Sequence, residues 1–337
     1  MTSVVLGANG HIGCHLVREL VARGQRVRAF VRAGTDLHSL EGVEAEVQVG
    51  DVLDRESVAR ALDGAETVYH LASPSSADPQ IERIAVEGTR HVAEAVLASR
   101  SVSRLIYTSS TITVGWTSDP RARLDESSFS NLAATPNQVA KCRAEALVLA
   151  QVRERGLPAV IVNPATTLGP LNYRPTPANR LVTDFLNGRV HFTFDGGFTV
   201  VDVRDVAGGM VLAAEKGRIG DRYILGGPQV TVRQLYRQLA QVSGLPAPRL
   251  HLPRWVVLMG ALGMEGLARV VGRHPPVTYR LMKAFVGSYS FHDSGKAAAE
   301  LGYTWLPLDE ILRRAVRWFV DTGLVSASRA RRVRLAA

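Results

Sequence analysis

The stretch Gly7-Ala8-Asn9-Gly10-His11-Ile12-Gly13 decides the fold of this chain. It follows the apolar run of residues 4–6 and opens a pattern in which apolar residues recur at helical spacing through residue 21. A strand, a glycine-rich turn and a helix in this order cradle a pyrophosphate, because the first turn of the helix offers N–H groups without partners inside the helix. We therefore predict a dinucleotide-binding turn with cofactor contacts from Gly7, Asn9, Gly10, His11, Ile12 and Gly13.

The first half of the chain alternates strand-like and helix-like segments. The predicted strands are residues 3–6, 26–31, 44–49, 67–71, 104–108 and 158–162. The predicted helices between them are residues 10–23, 54–62, 84–99 and 137–155. This alternation predicts an α/β fold, a Rossmann-type doubly wound parallel sheet whose ligands bind beyond the carboxyl ends of the strands.

The alternation changes after Pro164. Residues 169–198 are rich in Pro, Gly, Asn and aromatic side chains, and further strands are predicted at residues 200–203 and 222–225. Helices are predicted at residues 205–216, 231–243, 255–271 and 308–322. We predict a dinucleotide-binding domain over residues 1–168, to which residues 199–226 return. Residues 169–198 and 227–325 would form a smaller C-terminal substrate lobe, followed by a basic tail at residues 326–337.

Composition narrows the class of protein. The chain has 337 residues, 46% of them hydrophobic, and a net charge of +9, which fits one large globular domain or two modest ones. Two cysteines, Cys14 and Cys142, favour a reducing cytoplasmic compartment without disulfides. The nine histidines show no metal-ligand spacing, so we expect no metal site. Four arginines in the tail are interpreted as a solvated, mobile terminus, in preference to a site for nucleic acid or acidic lipid.

We expect a monomer or homodimer with no nucleic-acid partner and no membrane span. The apolar segment at residues 255–264 ends at Glu265, so it is too short to cross a bilayer. We interpret it as a helix that buries or caps an apolar group.

The second strand indicates which nucleotide is bound. NAD-selective sites carry an acidic residue at its end, where it bonds the ribose 2′-hydroxyl. Here the strand ends at Arg32, and the first acid is Asp36. A planar guanidinium suits a 2′-phosphate, so we predict NADP(H), the alternative being an ordinary solvated arginine. Further cofactor contacts are predicted at later strand ends, from Asp51, Val52, Leu71, Ala72, Ser73, Pro164 and Thr166.

Further stretches resemble a known superfamily. Among them are Val49-Gly50-Asp51, Val86-Glu87-Gly88-Thr89, Tyr107-Thr108-Ser109-Ser110 and Val162-Asn163-Pro164. With the glycine-rich turn, they make residues 4–323 similar to the extended short-chain dehydrogenases/reductases, and within these to dihydroflavonol-reductase-like proteins and hopanoid-associated sugar epimerases. The resemblance implies a nicotinamide cofactor and a Ser, a Tyr and a Lys that carry the chemistry. The Ser bonds the substrate carbonyl, the Tyr transfers a proton, and the Lys holds the nicotinamide ribose and lowers the Tyr pKa.

The chain departs from this pattern at its central residue. The resemblance maps the Ser to Ser110, with Thr111 beside it, and the Lys to Lys141. Four residues before Lys141 stands Asn137 instead of Tyr, and no tyrosine occurs between residues 107 and 173. A second departure is Ala85, where the family carries an Asn that supports the active site. The predicted catalytic residues are therefore Ser110, Thr111, Asn137 and Lys141.

An amide at residue 137 changes the chemistry. It can donate a hydrogen bond to a substrate oxygen, but it is neither an acid nor a base. Losing a general acid lowers a rate by about 10²–10⁴. Candidate replacements are Lys141, a water held by Ser110, and Tyr173.

Three functions follow from these observations. The first is NADP(H)-dependent reduction of a carbonyl, enone or imine of a hydrophobic or natural-product intermediate. The second is a redox-neutral cyclase, isomerase or dehydratase on the same fold, in which amide and hydroxyl groups polarise a carbonyl. The third is a non-catalytic NADP(H) sensor. Candidate apolar walls for a small hydrophobic substrate, which could equally be lobe core, are Trp116, Tyr173, Phe185, Phe192 and Phe194.

Overall fold

The computed structural model describes residues 1–73, 80–130, 135–173, 176–270 and 279–335. In chain order its strands are β1 (Thr2–Leu6), β2 (Arg26–Val31), β3 (Glu46–Val49), β4 (Thr67–His70), β5 (Arg104–Thr108), β6 (Ala159–Pro164), β7 (Thr166–Leu168), β8 (Phe192–Thr193), β9 (Gly197–Asp202), β10 (Arg222–Leu225), β11 (Gln229–Thr231), β12 (Leu250–His251) and β13 (Tyr289–Ser290). Its α-helices are α1 (His11–Ala22), α2 (Arg55–Leu62), α3 (Ile81–Arg83), α4 (Thr89–Ala98), α5 (Pro136–Arg155), α6 (Pro177–Leu186), α7 (Val203–Lys216), α8 (Val232–Ser243), α9 (Arg254–Val270), α10 (Tyr279–Phe285), α11 (Gly295–Leu301), α12 (Leu308–Asp321) and α13 (Ala327–Ala330). Short 3₁₀ turns lie at His38–Leu40 and Thr111–Thr113, and a π-helical turn at Ile84–Gly88 joins α3 to α4.

A seven-stranded parallel sheet forms the centre of the molecule, in the order β10-β6-β5-β4-β1-β2-β3. Successive side chains of a strand point to opposite faces, so β1 serves two cores. Val5 packs on one face with the apolar stripes of α1 and α7. Val4 and Leu6 pack on the other with α2, α4 and α5. The predicted doubly wound Rossmann-type sheet is confirmed.

The helix predicted at residues 84–99 is not regular. Its first five residues form the π-helical turn, and Thr89 Oγ1 donates to the Ala85 carbonyl at 2.6 Å where that turn meets α4. Such turns widen the helix by one residue and often occur at functional sites. Ala85, the second departure from the family pattern, is buried beside Ile81 and Ala140.

Residues 199–226 are divided between two sheets. Only β10 joins the large sheet, where it pairs with β6. β9 instead lies in a four-stranded sheet with β11, β13 and β7. The physical reason is that β10 occupies the edge of β6, so no free edge is left there for β9. β7, placed by the sequence with the first domain, pairs with β9 as well.

The lobe has its own core, built from α6, α8 and α12. Its buried residues include Leu235, Leu239, Val316 and Phe319. Phe185, a candidate substrate wall, is buried here and stacks on Tyr236 with 5.7 Å between the ring centroids. Phe185 is therefore a core residue.

The basic tail is docked on this lobe, which contradicts the interpretation of a mobile terminus. Arg329 Nε donates to the Leu186 carbonyl at 2.9 Å, and the Arg334 N–H donates to the Ser243 carbonyl at 2.8 Å. Val333 and Leu335 pack against the lobe core. Apolar side chains next to the arginines supply the anchoring that charge alone did not suggest. Residues 336 and 337 lie outside the described residues.

Helix α9 was expected to bury its apolar side chains, but several of its largest ones are exposed. Val257 and Ala261 are buried, whereas Trp255, Met259 and Leu267 face solvent. Residue 271 of the predicted helix lies outside the described residues. Within the described ranges, no helix combines the length and apolar composition that a membrane crossing requires.

Candidate functional site

The glycine-rich turn has the geometry of an anion cradle. The N–H groups of Gly7 and Ala8 donate to the Phe30 carbonyl at 3.0 and 3.3 Å, and Gly10 N–H donates to the Gly7 carbonyl at 3.1 Å. Helix α1 then starts without a side-chain cap, which leaves the N–H groups of its first turn for a ligand. These features fit the pyrophosphate of a dinucleotide.

Two glycines of this turn have no room for a side chain. Gly7 has φ +89°, and a Cβ there would lie 2.9 Å from the Ala72 nitrogen. A Cβ at Gly13 would lie 2.2 Å from the Gly7 carbonyl oxygen. The obstacle in both places is backbone, so the turn itself would have to move.

We expect Gly13→Ala to destabilise the protein by about 1–3 kcal/mol through overpacking and to weaken dinucleotide binding at least tenfold, because the displaced turn no longer aims its N–H groups. Urea unfolding and a cofactor titration measure the two effects. Gly208→Ala is the matched control, since Gly208 lies in α7 and its Cβ would have no neighbour within 4 Å. That variant should gain up to about 1 kcal/mol from helix propensity. If the two variants had the same free energy of unfolding and the same cofactor affinity, the close packing of α1 against the turn would be contradicted.

Asn9 and His11 form hydrogen bonds that connect the turn to neighbouring loops. Asn9 Nδ2 donates to the Asp36 carbonyl at 3.4 Å, and Ser39 Oγ donates to the Asn9 carbonyl at 3.2 Å. His11 Nε2 and His15 Nε2 each lie 3.1 Å from the Pro170 carbonyl oxygen. Burial lowers the pKa of His11 to about 4 and that of His15 to about 3, so both rings are neutral and donate N–H to this oxygen. The His11 side chain therefore holds the start of the lobe, and its backbone belongs to the cradle.

Arg32 is an exposed cation at the carboxyl end of β2 and makes no ion pair within the described chain. Arg28, four residues earlier, is already paired: its guanidinium donates to the carbonyls of Ala61 and Asp63 at 2.6 and 3.0 Å. Asp36 Oδ1 accepts from His38 N–H at 2.9 Å. At this end of β2, Arg32 is thus an exposed cation that can receive an anion.

The other predicted cofactor residues lie along the same edge, because all strands of the large sheet are parallel. Asp51 follows β3 and its Oδ1 accepts from Leu53 N–H at 2.9 Å. Val52 is buried beneath Gly88, where a Cβ would lie 2.8 Å from the Val52 side chain. The remaining residues follow β4 or end β6 and begin β7; they are Leu71, Ala72, Ser73, Pro164 and Thr166.

Strand β5 and helix α5 determine the positions of Ser110, Asn137 and Lys141. Ser110 follows β5, and its Oγ accepts from Ile112 N–H at 3.3 Å, so its own proton remains available to a ligand. Thr111 is buried beside it. Asn137 and Lys141, both half-buried, are one turn apart on α5 and share a face. Lys141 Nζ donates to the Thr108 carbonyl at 3.1 Å, which ties this face to the end of β5.

The electrostatics of Lys141 matter for proton transfer. Burial lowers its pKa to about 8, and Glu145, one turn further along α5, partly opposes the shift. His70, at the end of β4, lies within the influence of the Lys141 charge, and burial lowers its pKa to about 3. Tyr107 is fully buried, and its pKa is raised well above the usual value. Among the described residues of this face, Lys141 is therefore the group that carries a proton at neutral pH and can release it.

His70 was missed in the sequence, although its place at a strand end was a usable signal. Its Nε2–H donates to Thr89 Oγ1 at 3.0 Å. Its buried Nδ1 has no hydrogen-bond partner within the described chain. The ring therefore fills the space behind Lys141 without carrying a charge.

A buried ionic network, also missed, supports Ser110 from behind. Arg222 Nε and Glu145 Oε1 form an ion pair at 2.8 Å, with both side chains at most 5% exposed. Glu145 Oε2 accepts from Thr113 Oγ1 at 2.7 Å and from Asn163 Nδ2 at 3.0 Å. Asn163 Nδ2 also donates to the Ser110 carbonyl at 3.2 Å. The network fixes the backbone of the Ser110 turn against α5 and β6.

The network's other contacts hold the loop before α5. Arg222 donates to the carbonyls of Glu126 and Ser128 at 2.9 and 2.8 Å, and its guanidinium lies 4.1 Å from the centre of the Phe129 ring. The spacing of Glu145 four residues after Lys141 was the only sequence signal for this arrangement.

The candidate substrate residues are spread over different places. Tyr173 packs against His38 and Trp318, with centroid distances of 4.6 and 5.2 Å. Its ring therefore lies beside the loop after β2, so the structure does not place it as a replacement acid with Lys141. Phe192 is 38% exposed on the ribbon of β8 and β12. Trp116 is half-buried in the loop that leads from Ser110 to Thr117, which pairs with Tyr289 of the lobe.

Fold and site together define a nucleotide-binding α/β protein of the extended short-chain dehydrogenase/reductase type. The chain belongs to the NAD dependent epimerase/dehydratase family, whose model matches residues 3–226. It is 35% identical to sterol demethylase protein B of Methylococcus capsulatus, over 96% of this chain and 100% of that protein. It is 33% identical to a putative dihydroflavonol 4-reductase of Synechocystis, over 95% of each chain. The solved structure of gox2253 is similar with a TM-score of 0.85 and 35% identity, over 96% of this chain and 99% of that one.

These comparisons confirm the resemblance to extended short-chain dehydrogenases/reductases. The family and its named relatives indicate an oxidoreductase with a nicotinamide cofactor and a small-molecule substrate.

Proposed function

We propose that this protein is an NADP(H)-dependent reductase of a carbonyl, enone or imine in a hydrophobic natural-product intermediate, with Lys141 as the proton donor. The observation that carries this proposal is the placement of Lys141. It shares a face of α5 with Asn137 and bonds the Thr108 carbonyl, two residues before Ser110. Lys141 thus reaches the carboxyl end of β5, which Ser110 follows, from the same face of α5 as Asn137.

The names of two relatives support the substrate class. One refers to a sterol and the other to a dihydroflavonol, which are apolar ring systems carrying oxygen. Candidate walls of the same character in this chain are Trp116 and Phe192. Apolar walls with a few fixed polar groups are typical of small-molecule sites.

The chain's residues fit the cofactor at both ends. The first turn of α1 offers N–H groups to a pyrophosphate, and Arg32 offers its guanidinium to a 2′-phosphate. Lys141 would lie by the nicotinamide ribose, as the family resemblance implies. The bound cofactor would supply hydride to the substrate.

The side chains near the substrate oxygen have different roles. The Ser110 hydroxyl and the Asn137 amide donate hydrogen bonds that stabilise negative charge developing there. Lys141 transfers a proton from Nζ, because a donor with a pKa near the working pH is most effective. Neutral His70 and buried Tyr107 leave Lys141 as the donor.

The test is turnover by the purified protein with NADPH and paired ring ketones and conjugated enones. We expect product and NADPH loss in equal amounts, with faster reaction of the enone, because it needs less help from an acid. Product formation by protein free of nicotinamide would contradict the proposal and favour the redox-neutral alternative. A complete lack of turnover together with tight NADPH binding would favour a sensor.

Arg32 is expected to select the cofactor. Arg32→Gln should weaken NADPH binding by about 10–100-fold, the range for a lost hydrogen bond to a charged group, and leave NADH binding nearly unchanged. Arg26→Gln is the matched control, since Arg26 is exposed at the opposite end of β2. Fluorescence titration with both nucleotides measures the effect. Equal losses for NADPH and NADH would contradict the role of Arg32.

A further inference from the structure

The part of the lobe around α9 exposes large apolar side chains. Trp255, Met259 and Leu267 are 69%, 62% and 65% exposed, respectively. We call the α9 surface the set of exposed side chains Trp255, Met259, Leu262, Met264, Leu267 and Phe285. Exposed apolar patches on soluble proteins mark sites of interaction.

Glycines separate the large apolar side chains of the α9 surface. Trp255, Met259 and Leu262 follow at spacings of four and three residues, so they line one face of the helix. Gly260, Gly263 and Gly266 lie among them, and an added Cβ at each would meet nothing within 4 Å. A convex helix face of this kind suits a deformable apolar medium better than a partner with fixed side chains.

Basic residues outnumber acids in the sequence around the α9 surface. From residue 249 to residue 285 the sequence contains six Arg or Lys and one acid, Glu265. Arg249, Arg254 and Lys283 are exposed at its margins. The Glu265 carboxylate accepts from Tyr279 N–H at 3.0 Å, so it is directed toward α10. An apolar face bordered by cations is complementary to anionic lipid headgroups over acyl chains.

We propose that the α9 surface binds the surface of an anionic bilayer, with the helix lying in the headgroup region without crossing it. This inference concerns a surface that the proposed function does not use, and it holds whether or not the reductase activity does. Trp255 at the start of α9 would sit at the level of the headgroups, where the indole ring is favoured. The substrate lobe would then face the bilayer.

The test is sedimentation of the full chain with vesicles of phosphatidylcholine containing phosphatidylglycerol. We expect binding that weakens with added salt and is much weaker for phosphatidylcholine alone. Met259→Gln/Leu262→Gln/Leu267→Gln should weaken binding by about 100-fold or more. Arg249→Gln/Lys283→Gln should weaken it by about 30-fold, from about 1 kcal/mol for each cation.

Matched controls use exposed residues elsewhere. Val47→Gln/Val49→Gln/Ile219→Gln changes three exposed apolar side chains, and Arg331→Gln/Arg332→Gln changes two exposed cations. Both variants should bind vesicles like the parent protein. Equal binding of the α9 triple variant and the parent, or equal binding to both lipid compositions, would overturn the proposal. The proposal would also be overturned if the parent protein formed an oligomer that bound no vesicles while the α9 triple variant was a monomer. The α9 surface would then be covered by a second copy of the chain.

Discussion

Lys141→Met is expected to lower kcat for ketone reduction by about 10²–10⁴, the contribution of a general acid. NADPH binding should weaken as well if Nζ also holds the ribose, so single-turnover rates at saturating NADPH are the proper measurement. In the parent protein, kcat/KM should fall about tenfold per pH unit above a pKa of about 8, because the protonated amine is the active form.

Two further variants separate proton transfer from charge. Lys141→Arg keeps a cation on α5, but its guanidinium does not release a proton, so binding should persist while kcat remains low. Asn137→Tyr places a phenol one turn before Lys141 and should raise ketone reduction above the parent level. A Lys141→Arg variant with parental kcat and an unchanged pH profile would rule out Lys141 as the donor.

Arg222→Met is expected to lower the free energy of unfolding by about 3–5 kcal/mol, because Glu145 is left as a buried charge without its cation. Urea unfolding measures the loss. Glu145→Leu/Arg222→Met removes both charges and should recover most of it. Arg60→Met is the surface control: Arg60 and Glu56 pair at 3.7 Å with side chains 64% and 88% exposed, so we expect a change of at most about 1 kcal/mol.

The same network should influence catalysis through Lys141. Glu145 raises the pKa of Lys141 against the effect of burial. Glu145→Gln removes that charge while keeping the shape, so the fall in kcat/KM should begin at a lower pH. An unchanged pH profile in a folded Glu145→Gln variant would show that the network is structural only.

Much of the site follows from local sequence rules. The glycine-rich turn could be predicted because a strand pattern, three glycines and a helical pattern adjoin within residues 4–21. The common face of Asn137 and Lys141 could be predicted because their spacing is one helical turn. These features depend on short-range geometry, which the sequence encodes directly.

Features that depend on pairing between distant segments could not be predicted. The strand pattern of β9 did not show which sheet it joins, because that depends on β10 occupying the edge of β6. The Glu145–Arg222 pair joins residues 77 positions apart in sequence. Tyr173 was placed with the substrate because of its type, yet His38 and Trp318 hold it elsewhere. Tail docking depends on Val333 and Leu335 reaching a core formed by other helices.

The carbonyl of Pro170 has a consequence for engineering. His11 and His15, about one turn apart in the first half of α1, donate to this one oxygen from 159 and 155 positions away in sequence. The contact between the cofactor domain and the substrate lobe therefore depends on residues that are distant in sequence. A chimera that takes its lobe from a relative should also take residues 11 and 15 from that relative, or the new lobe will lack two of the donors that set its position over the cofactor.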